Sequence, residues 1–448
     1  MKYDVLIIGS GPAGYVAAIR SGQVGLKTAL VEKKDIGGMC LNWGCIPSKA
    51  IIESAKYYDK LHQADDFGID GIDMKQVGFN WVNAKNRALR IARKLTGGVK
   101  YLLDKNGVEI IQGEAIITSE NAVTVENRNI EANNIIIATG SYPNQLDEII
   151  PKDKILELEH MYHEEKLPDT VAVVGEGGVA VEMAQFFQMI GKKVTLVASS
   201  ETLLPQADQY LNDYIRNRLK KDHIDLIFNS DIKGYENGKL KVGDKAVDCE
   251  KVLNASFRGA VLPRSNIDIA IRDDGFVNTD QFLQTNYDHI YAIGDVNGKS
   301  YLAHAGSAQG LFVINKIKGI KGEIDLHKYP LNIYSNPEIA QIGLTEQELQ
   351  EQGVSYKVSE FPLSANGKAL IEGYKEGNIR MLSEKKYGEV LGVQIIAPHA
   401  TDMIAEATAF MQIESTIYDV ARSIHAHPTI SEIYMEAGFD AVDKAIHK

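Results

Sequence analysis

The sequence predicts an α/β protein with two Rossmann-like dinucleotide-binding domains and a C-terminal α+β domain, and three observations carry that prediction. A strand, a Gly-rich turn, a helix and a second strand occur from Tyr3 to Glu32, and the pattern returns from Val171 to Ala198. Gly9 lies 23 residues before Glu32, and Gly175 lies 23 residues before Ala198, so one βαβ unit is used twice at one spacing. Past about Leu331 the rhythm changes to strand-like stretches with turn signals at Gly388 and Gly392 and helical runs over 401–412 and 417–423, which reads as α+β.

Taking the elements in order, Tyr3 to Ile8 is a continuous apolar run, as a strand buried on both faces requires. A helix is predicted over 13–21, then the strand Thr28 to Val31 ending in Glu32. In the second copy, Val171 to Val174 is the first strand, 179–190 the helix and Val194 to Val197 the second strand. A further strand, Ile290 to Ile293, runs into Gly294-Asp295. The expected domain order is 1–143 (first dinucleotide domain), 144–265 (second), 266–330 (a central segment returning to the first) and 331–448 (the α+β domain).

Charge and cysteine usage exclude several classes. A net charge of −12, with no cluster of Lys and Arg, argues against a nucleic-acid partner. No run of about 18 apolar residues offers a membrane span. The N-terminus enters a strand without signal-peptide character, so a cytoplasmic protein is expected. Three cysteines are too few for a disulfide scaffold. Cys249 has no Cys or His close to it, so no zinc site, and no metal, is expected.

Gly9-Ser10-Gly11-Pro12-Ala13-Gly14 is G-x-G-x-x-G between a strand and a helix. Gly9 permits the tight turn, Gly11 lets backbone N–H groups approach a pyrophosphate, and Gly14 lets helix and strand pack closely. The helix N-terminus stabilises phosphate charge. Glu32 is placed to accept hydrogen bonds from ribose hydroxyls.

Cys40 and Cys45 follow at once, within Gly37-Gly38-Met39-Cys40-Leu41-Asn42-Trp43-Gly44-Cys45-Ile46-Pro47-Ser48-Lys49. Residues five apart in a regular helix have Cα atoms roughly 8 Å apart, too far for a disulfide. A redox pair therefore needs a distorted helix start, which Gly44 makes easier, and a helix N-terminus favours a thiolate. Spacing alone leaves open two buried, reduced cysteines.

This segment resembles the redox-active signature of the pyridine nucleotide–disulfide oxidoreductases, and the whole chain is most similar to their lipoamide-using members, the dihydrolipoamide dehydrogenases. The match extends to Ala138-Thr139-Gly140, Tyr291-Ala292-Ile293-Gly294-Asp295, Phe361-Pro362-Leu363-Ser364-Ala365-Asn366-Gly367 and His425-Ala426-His427-Pro428-Thr429-Ile430-Ser431-Glu432. The resemblance implies that FAD is bound by Gly9, Gly11, Gly14, Glu32, Thr139, Gly140 and Asp295. It implies that Cys40 is the interchange thiol and Cys45 the thiol beside the flavin, with Lys49 near flavin N5 and paired with Glu182. His427 would be the acid–base that takes a proton from the entering dithiol, with Glu432 fixing its tautomer, and His425 would be structural. The active site would be shared between subunits of a homodimer, with 331–448 as the interface domain. The dithiol would be a dihydrolipoyl group on a lipoyl-carrying protein of a 2-oxoacid dehydrogenase complex. C-terminal redox cysteines, which mercuric reductases and large thioredoxin reductases carry, are absent from 438–448.

The second glycine loop departs from the pattern. Gly175 and Gly177 are kept as nicotinamide-nucleotide ligands, but Ala180 stands at the third glycine position. Glu176 is expected to put a carboxylate beside the pyrophosphate, and Ala198 offers neither the acid of an NAD site nor the Arg of an NADP site. Phe257 stands where relatives have a glycine. These changes predict weak binding of both NADH and NADPH, with little discrimination between them. Three functions follow: electron transfer from a dihydrolipoyl-type dithiol through Cys40–Cys45 and FAD to NAD+; the same dithiol chemistry with another acceptor, such as a quinone or a protein; or a non-catalytic FAD-binding regulatory protein.

Overall fold

The computed structural model describes residues 2–322 and 324–448. Two compact units are formed, one from Met1–Leu167 with Ser256–Leu326 and one from Pro168–Ala255 with His327–Lys448.

The first unit is built on the strand Lys2–Ile8. Val5, Leu6 and Ile7 are fully buried, and the strand pairs in parallel with both Thr28–Glu32 and Arg128–Ile137. Successive side chains point to opposite faces. Leu6 and Ile8 pack with Ile135 and Ile137 on one face, while Val5 and Ile7 pack with Ile136 and helix residues Ala13 and Ala17 on the other. Ile290–Ala292 adds in parallel to Arg128–Ile137, which carries Gly294–Asn297 to the carboxyl end of the central strands.

The sequence-derived borders at 143/144 and 265/266 differ from the observed grouping. Residues 144–167 and 256–265 cluster with the first unit. The cause is strand pairing: Arg258–Ala260 runs antiparallel to Ser141–Pro143, and Arg264–Ser265 adds to Ala115–Ser119.

In the second unit the strands Asp225–Ile227, Lys193–Val197, Thr170–Gly175 and Lys251–Ala255 lie side by side and all parallel. The helix Gly178–Met189 follows Thr170–Gly175, as in the first unit. A three-stranded antiparallel sheet, Ile232–Glu236, Lys239–Val242 and Lys245–Asp248, precedes Lys251–Ala255. The chain from Leu331 forms an antiparallel five-stranded sheet in the order Leu331–Ile333, Glu338–Gly343, Val390–Ala397, Asn378–Glu384, Tyr356–Pro362. Its core joins Ile395, Met381 and Phe361 to Ile404, Ile433 and Tyr434 of the helices Ala400–Gln412 and Glu432–Val442. Among the described residues no helix is long and apolar enough to cross a membrane.

Candidate active site

The first glycine loop is shaped by two close approaches. Gly9 has φ +99°, and a Cβ on Gly14 would stand 2.0 Å from the Gly9 carbonyl oxygen, so a side chain at Gly14 would push the helix Pro12–Gln23 off its strand. Beyond Gly11 the space is open, with nothing within 4 Å of an added Cβ. Glu32 is buried, and its Oε2 accepts from Ser10 N at 2.9 Å and Ser10 Oγ at 2.6 Å. The Thr139 hydroxyl oxygen is shielded from solvent and has no hydrogen-bond partner among the described residues, while Gly140 at φ +77° has open space where a side chain would be. An open, Gly-lined mouth at a helix N-terminus, with an unsatisfied hydroxyl on its rim, fits a dinucleotide such as FAD.

The cysteine segment docks directly on this loop. Gly37 N donates to Ser10 O at 3.0 Å, and a Cβ on Gly38 would meet Gly11 Cα at 2.9 Å. The predicted distortion of the helix is a full break. Cys40 lies in the short helix Gly38–Asn42, Trp43 and Gly44 interrupt it, and Cys45 opens the helix Cys45–Lys60. Both cysteines are thiols in this structure, not a disulfide. The side chain of Cys40 hydrogen-bonds Cys45, and this bond, then burial, then the charge of Cys45 push the Cys40 thiol far above its usual range; Lys49 opposes them. Cys45, at the first position of a 16-residue helix, is the sulfur placed to carry thiolate charge.

Three neighbours of this pair escaped the sequence reading. Tyr15 is near enough that burial, then the charges of Cys40 and Cys45, raise its phenol. Ser141 Oγ donates to Asp295 Oδ2 at 2.5 Å and accepts from Arg258 Nε at 2.9 Å. Arg258 Nη2 also reaches Ser141 O at 2.7 Å and Met39 Sδ at 3.0 Å. Burial raises the Asp295 carboxyl while Ser141 and Arg258 hold it down. Burial also lowers the Arg258 guanidinium, against the charges of Asp295 and Cys45. A Ser and an Arg 117 residues apart in the chain give no local signal. Phe257 itself is 61% exposed and meets Phe276 and Tyr301 edge-on at 6.3 and 5.9 Å.

The histidine motif lies in the second unit. His427 is exposed, and its Nδ1 lies 2.9 Å from Glu432 Oε1. Burial would raise the Glu432 carboxyl, but the Thr429 N–H, at 2.8 Å, and His427 outweigh it and hold it below its ordinary value. His425 is anchored differently: Nδ1 faces Ser423 O at 2.9 Å, Nε2 faces Glu406 Oε1 at 2.6 Å, and the ring stacks on Tyr434. The Glu406 hydrogen bond raises its pKa against burial. Glu182, on the helix Gly178–Met189, is buried and accepts from Tyr334 N at 3.0 Å.

The second glycine loop keeps the expected backbone, with φ +135° at Gly175 and +85° at Gly177, and Ala180 is fully buried in the helix. Glu176, however, is turned away from the position expected of it. Its Oε1 accepts from Ser199 Oγ at 2.9 Å and Ser200 N at 2.8 Å, so the carboxylate is tied to the chain just beyond Lys193–Val197. The Gly177 N–H is bonded to Leu203 O at 2.6 Å.

Comparison with known proteins gives one family for most of the chain. Residues 3–310 match the family described as pyridine nucleotide-disulphide oxidoreductase, and residues 329–438 match the dimerisation domain of that family. A dihydrolipoyl dehydrogenase of Bacillus subtilis is 35% identical over 476 residues, covering 100% of this chain and 99% of the relative. Another, from Geobacillus stearothermophilus, is 34% identical over 462 residues, covering 100% and 98%. Among solved structures, LpdA from Mycobacterium tuberculosis superposes with a TM-score of 0.88 at 23% identity, over 98% of this chain and 99% of that one. The HOCl-induced flavoprotein disulfide reductase RclA from Escherichia coli gives 0.85 at 23%, over 98% and 100%. At that identity these two structures speak for the fold.

Proposed function

This chain belongs to the pyridine nucleotide–disulphide oxidoreductase family, and we propose that it oxidises a dihydrolipoyl-type dithiol and passes the electrons through Cys40 and Cys45 to FAD and then to NAD+. The observation that carries this reading is the helix break at Trp43 and Gly44 between Cys40 and Cys45, in a segment docked on an open glycine loop. Bound FAD would supply a two-electron acceptor for the cysteine pair and a donor to the nicotinamide. Gly9, Gly11, Gly14, Glu32, Thr139, Gly140 and Asp295 would hold it, with Ser141 and Arg258 fixing Asp295.

The roles of the other residues follow from acid–base need. A dithiol attacks a disulfide only as a thiolate, so a base must take its proton. His427 is that base: with Nδ1 facing the Glu432 carboxylate, Nε2 is the nitrogen left to accept. Cys40 is the sulfur attacked, because Cys45 is the better leaving thiolate. Oxidation of the dithiol to its disulfide then leaves Cys40 and Cys45 reduced, with His427 holding one proton. Lys49 would balance charge beside the cysteine pair. Gly175 and Gly177 would receive the nicotinamide nucleotide. The protein would act as a cytoplasmic homodimer, each site taking Cys40 and Cys45 from one copy and His427 from the other, on a lipoyl-carrying partner of a 2-oxoacid dehydrogenase complex.

Anaerobic titration of the holoprotein with dihydrolipoamide and, separately, with NADH tests both halves, since each should bleach the flavin. Subunit exchange tests the shared site. A mixture of Cys40→Ser and His427→Gln homodimers, with exchange confirmed by mass spectrometry, should regain activity, because one site in each heterodimer is intact. One observation favours a second acceptor: the Gly177 N–H, which would face a pyrophosphate, is already bonded to Leu203 O. Flavin reduced by dihydrolipoamide but untouched by NADH would establish that alternative.

A further inference from the structure

The two glycine loops carry the same serine–glutamate bond with the partners exchanged. In the first unit the acid, Glu32, ends the strand Thr28–Glu32, and it is bound by Ser10, which stands between the two glycines. In the second unit the residue between the glycines is Glu176, and the serine is Ser199, immediately after Ala198. Each bond ties a glycine loop to the end of the second strand of its βαβ unit. Only the side that contributes the carboxylate differs.

We propose that Glu176 supplies, from the loop, the ribose-binding carboxylate that position 198 lacks, and that it makes the site select NAD(H) over a nucleotide bearing a 2′-phosphate. This rests on the nicotinamide half of the function proposed above. The adenosine ribose of a nucleotide on this fold lies between the glycine loop and the end of the second strand, and that is the gap Glu176 bridges. Ser199 and Ser200 hold Oε1, which fixes the side chain, and among the described residues Oε2 carries no hydrogen bond. A carboxylate oxygen so placed can accept from the ribose hydroxyls. Glu176 is half-buried, so a 2′-phosphate brought beside it is repelled with less screening than in bulk water. The same loop offers little compensation. Arg216 reaches it, but its Nη2 is bonded to Glu201 O at 2.5 Å and its guanidinium lies over Phe228 at 4.8 Å.

Calorimetric titration of the oxidised holoprotein with NAD+ and with NADP+ tests the proposal without turnover. The wild-type protein should bind NAD+ at least about tenfold more tightly than NADP+, which is roughly what one like-charge contact costs after most of its repulsion is screened by solvent. Glu176→Gln keeps the shape and an oxygen for Ser199 and Ser200 but removes the charge, so the ratio should fall towards one, mainly through tighter NADP+. The double variant E176S/A198E copies the Ser10–Glu32 arrangement and should restore the preference. Equal wild-type affinities, or a ratio unchanged in Glu176→Gln, would overturn the assignment of Glu176 while leaving the functional reading intact. Binding of neither nucleotide, with dihydrolipoamide still bleaching the flavin, would overturn both this inference and NAD+ as acceptor.

Discussion

One carboxylate, that of Glu432, holds both the His427 ring and the backbone two residues after it: Oε1 lies 2.9 Å from Nδ1, and Oε2 accepts the Thr429 N–H at 2.8 Å. The ring is thereby fixed with Nδ1 protonated, and its basic nitrogen is the other one. His427→Gln should slow dithiol-driven flavin reduction by about 10²–10⁴-fold, the usual worth of a positioned base, with FAD content unchanged. Glu432→Gln weakens the hold on the ring, so dithiol-driven flavin reduction should slow in that variant too, at every pH. Stopped-flow reduction across a pH series measures both.

The two sulfurs should separate by spectrum. Cys40→Ser should abolish turnover with the dithiol but keep a long-wavelength charge-transfer band from the Cys45 thiolate. Cys45→Ser should lose the band. A strong thiolate-dependent band in Cys45→Ser would reverse the assignment.

Ser141 links Arg258 to Asp295, and Ser141→Ala leaves each of them short of one hydrogen bond. A loss of about 1 kcal/mol in stability is expected for such partly buried groups, together with weaker FAD retention. Thermal unfolding and the ratio of flavin to protein absorbance after gel filtration report the two effects. Neither quantity should move if the Ser141 hydroxyl is incidental.

His425 ties stability to pH. Its folded-state pKa is raised, chiefly by the Glu406 hydrogen bond. The stabilisation is therefore fully present below the unfolded pKa of about 6.5 and is lost as pH rises through the folded value. Wild type should lose stability relative to His425→Gln between about pH 6 and pH 9, as read by denaturant unfolding of both proteins at each end. A wild-type-minus-variant difference that is flat across this interval would count against the ion pair.

What the sequence by itself determined is the local chemistry. Strand Lys2–Ile8, the glycine turn, the helix Pro12–Gln23 and Glu32 are legible because backbone demands at Gly9 and Gly14 and an uninterrupted apolar run are written in adjacent residues. The five-residue spacing of Cys40 and Cys45 likewise required a break in the helix, found at Trp43 and Gly44. Tertiary structure decided what depends on distant pairing and on side-chain direction. Segment 256–265 joins the first unit because Arg258–Ala260 pairs with Ser141–Pro143, a ladder that no local periodicity encodes, and with it comes the Ser141–Arg258–Asp295 chain. The carboxylate of Glu176 was legible in the sequence; its direction was not. It follows from rotation about side-chain bonds and from the Ser199 and Ser200 donors, which the fold places in reach only once two parallel strands have been brought side by side.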